Sequence, residues 1–218
     1  MGPSGLPLDL WLRVERTLGY LFNEAVYERA NTAMSLGTHG ALRRVVLGLV
    51  YGRVLDVGCG DGVYLTQLAS RTEEVVCLDP LPARNHSALP NFHRVVAVAE
   101  YMPFRDKSFD FATAMFSFRD FMDKALGLFN MRRVSKRGVV ILDLFSTSPY
   151  LRPAVTFYFG YIAPAMGFVA SGGRRGRWEL ILPTLLLMPR ADFFKRIGGV
   201  IIARRGLGLV SIVYLPVN

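Results

Sequence analysis

Apolar and polar positions alternate along this chain in the manner of an α/β domain. Apolar residues recur at near-helical spacing over residues 8–34 and again over 39–50, which predicts one or two amphipathic helices followed by another. Beyond residue 52 the period shortens, and strands are predicted in RVLDV, VVCLD, RVVAVA, FDFATAMFSF and GVVILDLF. Helices are predicted between them, over 63–70 and 121–134. This alternation predicts a parallel sheet with helices on both faces.

The last third of the chain has a different pattern. Residues 153–173 carry no charge, and this length is enough to cross a bilayer. Prolines and glycines interrupt the segment, which makes it a poor spanning helix. We therefore rank an interfacial lid first, ordinary core helices second and a transmembrane span third. The tail VIIARRGLGLVSIVYLP then predicts two strands joined around Arg204–Gly208, an antiparallel hairpin at one edge of the sheet.

Length and composition favour one cytoplasmic domain. The 218 residues suffice for one sizeable core, and no signal peptide is visible in the first 18 residues. Two cysteines, Cys59 and Cys77, predict neither a disulfide framework nor a metal site, so no metal is expected. The expected parts of the single domain are N-terminal helices (1–50), a cofactor-binding core (51–146), an apolar and basic cap (147–198) and the C-terminal hairpin (199–218).

Charge is distributed unevenly along the chain. Residues 1–150 hold 17 basic and 15 acidic side chains, a net of +2, whereas residues 151–218 hold nine basic and two acidic, a net of +7. This asymmetry indicates an anionic partner for the C-terminal third, either nucleic acid or membrane headgroups. Arg174, Arg175 and Arg177 follow the uncharged segment directly, so we expect transient contact between these arginines and an anionic membrane surface.

The segment VLDVGCGDGVYL, residues 54–65, carries the clearest chemical signal. A buried strand ends near Asp56, and Gly58, Gly60 and Gly62 predict a tight turn that opens a helix and lets a ligand approach the backbone. Asp56 can reach an amino group through this loop. The next strand ends in Asp79, placed to accept hydrogen bonds from both hydroxyls of a ribose. A nicotinamide dinucleotide site or a purely structural glycine turn remains the alternative.

The glycine loop and the acidic strand end together resemble motif I and its successor in class I S-adenosylmethionine-dependent methyltransferases. The later segment AEYMPFRDKSFDFATA is similar to the DAxxLPFxDxSFD run of the same superfamily, with Val98 where that run has Asp. The resemblance implies a Rossmann-like fold with a seven-stranded, mostly parallel sheet, and S-adenosylmethionine as cofactor. The cofactor-binding residues that it implies are Asp56, Gly58, Cys59, Gly60, Asp61, Gly62, Asp79, Pro80, Val98, Ala99, Glu100 and Met115.

Two further segments resemble the ubiquinone/menaquinone biosynthesis C-methyltransferase family. VYERANTAMSLGTHGALRRVVL keeps most of that family's N-terminal signature, and its matching positions are Tyr27, Asn31, Met34, Ser35, Gly37, His39 and Arg43. SFRDFMDKALGLFNMRRVSKRGVVILDLF looks like the family segment that begins GLRN, with Arg119 retained and Asp120 in place of Asn. The implied acceptor is the reduced ring of a prenylated quinone, a lipophilic small molecule.

Methylation of an aromatic carbon requires a phenolate stabiliser, a proton acceptor and close alignment. Arg119, just past the fourth strand, could bind the phenolate, but it cannot act as a base because arginine stays protonated. Asp120 or His39 is the better proton acceptor, although Asp120 could instead cap a helix and His39 could buttress one. Around this centre we expect Tyr27, Asn31, Phe116 and Phe118 to bind substrate, with ordinary packing as the alternative for the phenylalanines.

Three other functions remain open at this point. RNA as acceptor would use the basic tail, but the basic residues are interleaved with apolar runs and no appended RNA-binding motif is present. Another lipid could replace the quinone. A degenerate scaffold that binds cofactor or a partner without catalysis would explain Val98 and the altered residues near Arg119.

Overall fold

The computed structural model describes residues 5–23, 26–62, 64–82, 89–173 and 177–217, and the centre of the molecule is one seven-stranded sheet. The strands are β1 (Arg53–Val57), β2 (Glu74–Asp79), β3 (Phe92–Val96), β4 (Phe109–Met115), β5 (Ser135–Leu144), β6 (Val200–Arg205) and β7 (Val210–Pro216). Their order across the sheet is β3-β2-β1-β4-β5-β7-β6. The first five are parallel, and β7 pairs antiparallel with both β5 and β6. The predicted parallel sheet and edge hairpin are confirmed.

The helices lie close to their predicted positions in the first two thirds of the chain. They are α1 (Leu8–Asn23), α2 (Tyr27–Met34), α3 (Thr38–Leu49), α4 (Leu65–Ala69), α5 (Lys124–Val134), α6 (Arg152–Phe157), α7 (Ala163–Ala170), α8 (Ile181–Leu186) and α9 (Asp192–Lys195). A π-helical turn, Tyr158–Ile162, joins α6 to α7. Helix α5 starts later than predicted because the Asp123 side chain accepts hydrogen bonds from the N–H groups of Ala125 and Leu126 and caps it.

Helices cover both faces of the sheet. On one face α3 and α4 bury Val46 and Leu68 against Val54 and its neighbours. On the other face α5 contributes Met131, and the segment containing α9 contributes Phe194. Because side chains alternate between the two faces of a strand, β1 serves both cores, and every residue from Val54 to Val57 is buried.

A third helical layer covers the carboxyl ends of β1 and β2. Leu21, Ala30, Phe159 and Trp178 belong to its separate buried cluster, which unites α1, α2 and α7. The Tyr158 hydroxyl donates a hydrogen bond to the Met34 carbonyl, 2.6 Å away, and so fastens the cap to α2. Open α/β sheets bind ligands outside the carboxyl ends of their strands, so this layer encloses the expected site.

Candidate active site

The turn after β1 needs glycine at its positions of closest approach. Gly58 and Gly60 have φ angles of 73° and 59°, in the left-handed region that glycine adopts without steric cost. A Cβ on Gly58 would lie 2.3 Å from the Cβ of Ser117, and one on Gly60 would lie 2.8 Å from the ring of Phe22. The loop is therefore packed between β4's end and α1, and neither glycine can be replaced without moving a neighbour.

A cavity of about 720 Å³, part of it open solvent, lies between this loop and α1; we call it the loop cavity. Ten of the twelve cofactor residues that the sequence implies lie on its wall: Gly58, Cys59, Gly60, Asp61, Asp79, Pro80, Val98, Ala99, Glu100 and Met115. Tyr27 and Phe116, expected to bind substrate, also line it. The structure thus brings these residues together, and their roles toward a ligand stay predictions.

Asp79 fixes the glycine loop to the end of β2. One carboxylate oxygen accepts from the Gly60 N–H at 2.8 Å, and the other accepts from the Leu81 N–H at 2.9 Å. Burial raises the pKa of Asp79, and the two N–H groups oppose this rise. These features fit S-adenosylmethionine. Asp79 at the strand end suits the ribose, the apolar wall at Val98 suits the adenine, and the loop, whose backbone a ligand can approach closely, suits the methionine part.

Asp56 does not reach the loop cavity. It is fully buried, and it accepts hydrogen bonds from the Tyr64 hydroxyl at 2.7 Å and the Thr113 hydroxyl at 2.6 Å. Burial raises the pKa of Asp56 to about 6, against the lowering effect of these two donors. Instead of the expected direct contact, Asp56 holds Tyr64, which does line the cavity. Gly62 also lies off the wall, where a Cβ would meet Leu65.

One disulfide is present, although the two cysteines predicted no disulfide framework. Cys59 and Cys77 are bonded, with Cα atoms 5.7 Å apart. The pairing follows from the register of the parallel strands, which sets Asp56 opposite Cys77 and brings the loop residue Cys59 over the neighbouring strand. The bond adds a covalent link between the loop and β2, beside the hydrogen bonds of Asp79.

A second cavity, the cap cavity, encloses about 400 Å³ between α1, α2 and the cap. Arg119, Asn31 and Thr184 line it, together with apolar residues of α1 and α8. Leu18, Tyr27 and Asp120 line both cavities. The two spaces therefore adjoin at these three side chains.

Arg119 is a buried cation held by two carboxylates. Its Nη1 lies 3.2 Å from Asp143, its Nη2 lies 3.5 Å from Asp120, and its backbone N–H donates to Asp143. Burial disfavours the charged guanidinium, but Asp120 and Asp143 together hold the pKa of Arg119 above its ordinary value. Its Nε is buried without a hydrogen-bond partner among the described residues, so bonding capacity remains for a ligand in the cap cavity.

Asp120 has the properties of a proton acceptor. Burial raises its pKa to about 6, and Arg119 limits the rise. The alternative role of Asp120 as a helix cap is wrong, because it lies in the 3₁₀ turn Phe118–Asp120 and the cap of α5 is Asp123. A carboxylate with a near-neutral pKa on the wall between two cavities is suited to general base catalysis.

His39 is placed as a structural residue and not as a proton acceptor. Its Nδ1 lies 2.9 Å from the Ser35 hydroxyl and its Nε2 lies 2.9 Å from Glu28, so both ring nitrogens are engaged. Although burial opposes it, hydrogen bonds from His39 and Arg43 lower the pKa of Glu28 to about 2. His39 lines neither cavity, and the expectation of catalysis is replaced by its alternative: it joins α2 to α3.

Phe116 and Phe118 have different surroundings because β4 ends at Met115. Phe116 follows with φ +65°, a strained conformation for a bulky residue, and its side chain lines the loop cavity. Phe118 is fully buried against Phe121 and Phe194, so its predicted role in substrate binding is wrong and it belongs to the core.

Arg43, a matching position of the family signature, stacks 4.6 Å from the ring centroid of Tyr64, and both line the loop cavity. Several other residues of the site have no functional signal in the sequence. They come from the loop after β1, α1 and the cap, and they are Tyr64, Trp11, Glu15, Phe22 and Trp178. Arg177 lines the cap cavity, whereas Arg174 and Arg175 lie outside the described residues.

Comparison with known proteins places this site in a family. A methyltransferase domain matches residues 55–142. The chain is 31% identical over 188 residues to the ubiquinone/menaquinone biosynthesis C-methyltransferase UbiE of Geobacter sp. (strain M21), covering 78% of this chain and 79% of that protein. It is 30% identical over 160 residues to the demethylmenaquinone methyltransferase of Lactiplantibacillus plantarum, covering 65% and 68%.

A solved structure shows the same fold at low identity. The [4+2]-cyclase SpnF aligns over all of both chains with a TM-score of 0.60 at 14% identity, which is a likeness of fold alone. The domain match covers the loop, Asp79 and Arg119. The chain is therefore an S-adenosylmethionine-dependent methyltransferase, and it belongs to the ubiquinone/menaquinone biosynthesis C-methyltransferase family.

Proposed function

We propose that this methyltransferase methylates a ring carbon of a reduced, prenylated quinone precursor of the demethylmenaquinol type. The observation that carries this proposal is the wall shared by the two cavities. Ligands in the loop cavity and in the cap cavity would both face Leu18, Tyr27 and Asp120. A donor and an acceptor could thus meet across a wall that contains a proton acceptor. The names of the curated relatives support a quinone as the acceptor.

The polar residues of the cap cavity suit a hydroquinone. S-adenosylmethionine, when bound, supplies an electrophilic methyl group on a sulfonium. Asp120 would accept the proton of a ring hydroxyl, which makes the ring carbon nucleophilic. After methylation, the hydrogen on that carbon would leave as a proton, which restores the aromatic ring and its hydroxyl. Arg119 would stabilise the phenolate through its fixed positive charge and its unpartnered Nε. Tyr27 and Asn31 remain the predicted residues that orient the ring.

The walls of the cap cavity also suit a prenyl tail. Val14 and Leu21 from α1 face Leu180 and Ile181 from the cap across this space. Apolar walls with a few polar groups at one end are typical of sites that bind a lipid with a polar head. This distribution favours a prenylated ring over a small polar acceptor.

We further propose that the cap rests on a membrane surface. The helical stretch Arg152–Ala170 is long and apolar enough to cross a membrane by length and composition, and 17% of it is buried. Phe157, Tyr161 and Phe168 are 58%, 70% and 44% exposed, and their spacing places them on one side of the stretch. Tyr158 on another side is bonded to α2. An exposed aromatic face on a fastened helix favours interfacial contact.

A methyl-transfer assay tests the acceptor. The protein is incubated with S-adenosylmethionine labelled in its methyl group and with membrane extract that contains demethylated quinone, chemically reduced. We expect label in the quinone fraction and none when the extract is left oxidised. Label found only in added RNA would overturn the proposal.

Vesicle sedimentation tests the membrane contact. The triple variant Phe157→Ser, Tyr161→Ser, Phe168→Ser should lose binding to vesicles with an anionic lipid fraction, because its aromatic face is removed. Phe129→Ser is the matched control, since Phe129 is 62% exposed on α5, outside the stretch Arg152–Ala170. Equal binding by the triple variant and the control would exclude the aromatic face as the contact.

A further inference from the structure

One face of α1 forms the roof of the loop cavity. Trp11, Glu15, Leu18 and Phe22 line it, at spacings of four, three and four residues, so they share one side of the helix. Three of them are apolar, and Glu15 is the one charged residue among them. A carboxylate set in an apolar surface costs free energy unless it meets a cation or takes up a proton. The position of Glu15 therefore indicates that it binds either a cation or a proton.

Glu15 has no hydrogen bond and no ion pair within the part of the chain that the structure describes. The other carboxylates on the wall are held. Asp79 accepts from two backbone N–H groups, Glu100 accepts from the Asp123 N–H, and Asp120 lies beside Arg119. Asp61 likewise has a partner. Glu15 is therefore the carboxylate of this wall whose bonding capacity is left open.

The groups that face Glu15 make a cationic ligand favourable. Charged and titratable side chains reach this cavity from the end of β2, the loop after β1, the turn before β4, the turn after β4, α2 and α3: Asp79, Asp61, Tyr64, Glu100, Asp120, Tyr27 and Arg43. Behind this wall, Arg94 lies 3.8 Å from Asp79 and Arg119 lies 3.5 Å from Asp120. On the wall itself, among the described residues, five carboxylates, Glu15 included, accompany one basic residue. That residue is already paired, because Arg43 donates to Glu28 at 2.6 Å.

We infer that Glu15 binds the sulfonium of S-adenosylmethionine and selects the cationic donor over its neutral product. The inference rests on the donor assigned above and adds a residue to its site. Glu15 shares the loop cavity with Asp79, at the ribose end, and with Asp120, at the wall shared with the cap cavity. The reacting sulfur must lie between these ends, because its methyl group has to reach the acceptor.

The electrostatics of Glu15 agree with this role. Burial, with smaller contributions from Asp79, Asp120 and Glu100, raises the pKa of Glu15 to about 8. A bound cation at this position would offset the repulsion from these carboxylates and stabilise the ionised form. Methyl transfer removes that cation, so the product leaves Glu15 facing carboxylates again. The charge of the ligand thereby contributes to product release.

Titration calorimetry of the full chain tests the inference with three ligands. S-adenosylmethionine carries the sulfonium, sinefungin carries an ammonium in its place, and S-adenosylhomocysteine is neutral there. At about pH 8 we expect Glu15→Gln to weaken binding of both cationic ligands by on the order of tenfold, as for a lost attraction between opposite charges in a partly buried site. Binding of S-adenosylhomocysteine should change by less than about threefold.

Two controls keep the experiment decisive. Asp9→Asn makes the same chemical change on the exposed side of α1 and should leave all three affinities unchanged. Unchanged affinities in Glu15→Gln, or equal losses for all three ligands, would overturn the charge-selective role while leaving the donor assignment intact. No binding of S-adenosylmethionine by the unmodified protein would instead overturn the donor assignment itself.

Discussion

The loop cavity has two walls that differ in how their polar groups are used. On the strand wall, Asp79 accepts two hydrogen bonds from backbone N–H groups, and Asp56, buried behind this wall, accepts two from side-chain hydroxyls. On the helical wall and in the adjoining cap, Glu15 has no partner and the Trp178 Nε1 is buried without one, among the described residues. These two carboxylates are therefore bonded to the protein before any ligand binds, whereas the helical layer keeps bonding capacity that a ligand would use.

Because the two walls differ in this way, substitutions on them should affect different quantities. Residues at the strand ends should determine the rate of chemistry, because they fix charge and proton acceptor in place before binding. Residues of the helical layer should determine which ligands bind. Substitutions at Asp120, Arg119, Glu15 and Trp178 test this division.

Asp120→Asn should lower turnover by about 10²–10⁴-fold, the usual worth of a general base. Asp120 must be ionised to accept a proton, so the turnover of the unmodified protein should rise as pH increases through about 6. The variant should lose that rise. Turnover is measured against pH with saturating donor and reduced quinone. A variant with an unchanged acidic limb would assign the proton acceptor to another group.

Arg119→Ala should lower turnover by about 10²–10³-fold, as for the loss of one preorganised charge at the reacting oxygen. Binding of S-adenosylmethionine should change little, because Arg119 lies on the cap cavity and not on the loop cavity. Single-turnover kinetics and calorimetry on the same preparation separate the two quantities. Unchanged turnover would remove Arg119 from the chemistry.

Glu15→Gln should stabilise the ligand-free protein at alkaline pH. The pKa of Glu15 is raised on folding from 4.5 to about 8, so the folded state holds more protons between these values and stability falls as pH increases. Glu15→Gln removes this loss of stability with increasing pH. Its midpoint temperature should match the unmodified protein near about pH 4 and exceed it by a few degrees near about pH 8. A difference that does not change with pH would show that Glu15 is not perturbed.

Trp178→Phe should have the smallest effect, confined to the acceptor. The substitution keeps an aromatic ring against Gly167 and removes only the unpartnered N–H. If that N–H bonds a ring oxygen, KM for the reduced quinone should rise by about three- to tenfold with donor affinity unchanged. An unchanged KM would leave Trp178 with a packing role only.

The strand wall could be predicted from the sequence because its chemistry is local. A strand, a glycine turn and a following helix are adjacent in the chain, and the next strand brings Asp79 to the same edge of the sheet. Gly58, Gly60 and Asp79 were expected for this reason, whereas the other expected residues on this wall came from the resemblance to class I methyltransferases. The helical roof could not be predicted, because the packing of α1 over Gly60 depends on contacts between residues far apart in sequence.

The incorrect predictions for Phe118 and His39 have the same origin, namely contacts that depend on tertiary packing. The sequence pattern extends β4 to Phe118, but the strand ends at Met115, and the positive φ of Phe116 turns the chain so that Phe118 enters the core. His39 resembles a catalytic residue, yet Glu28 on the preceding helix takes its Nε2. Local pattern identifies a residue's type and element, and tertiary packing decides which way its side chain faces.

Methyl transfer across the wall shared by the two cavities can be measured in cells by mass spectrometry of their quinones. The full chain and its Asp120→Asn variant are expressed separately in a host that lacks its own quinone C-methyltransferase. We expect the full chain to convert the accumulated demethylated quinone to a product heavier by one methyl group, and the variant to leave it unconverted. Absence of the methylated quinone from cells that hold the folded, S-adenosylmethionine-binding protein would contradict the proposed methyl transfer.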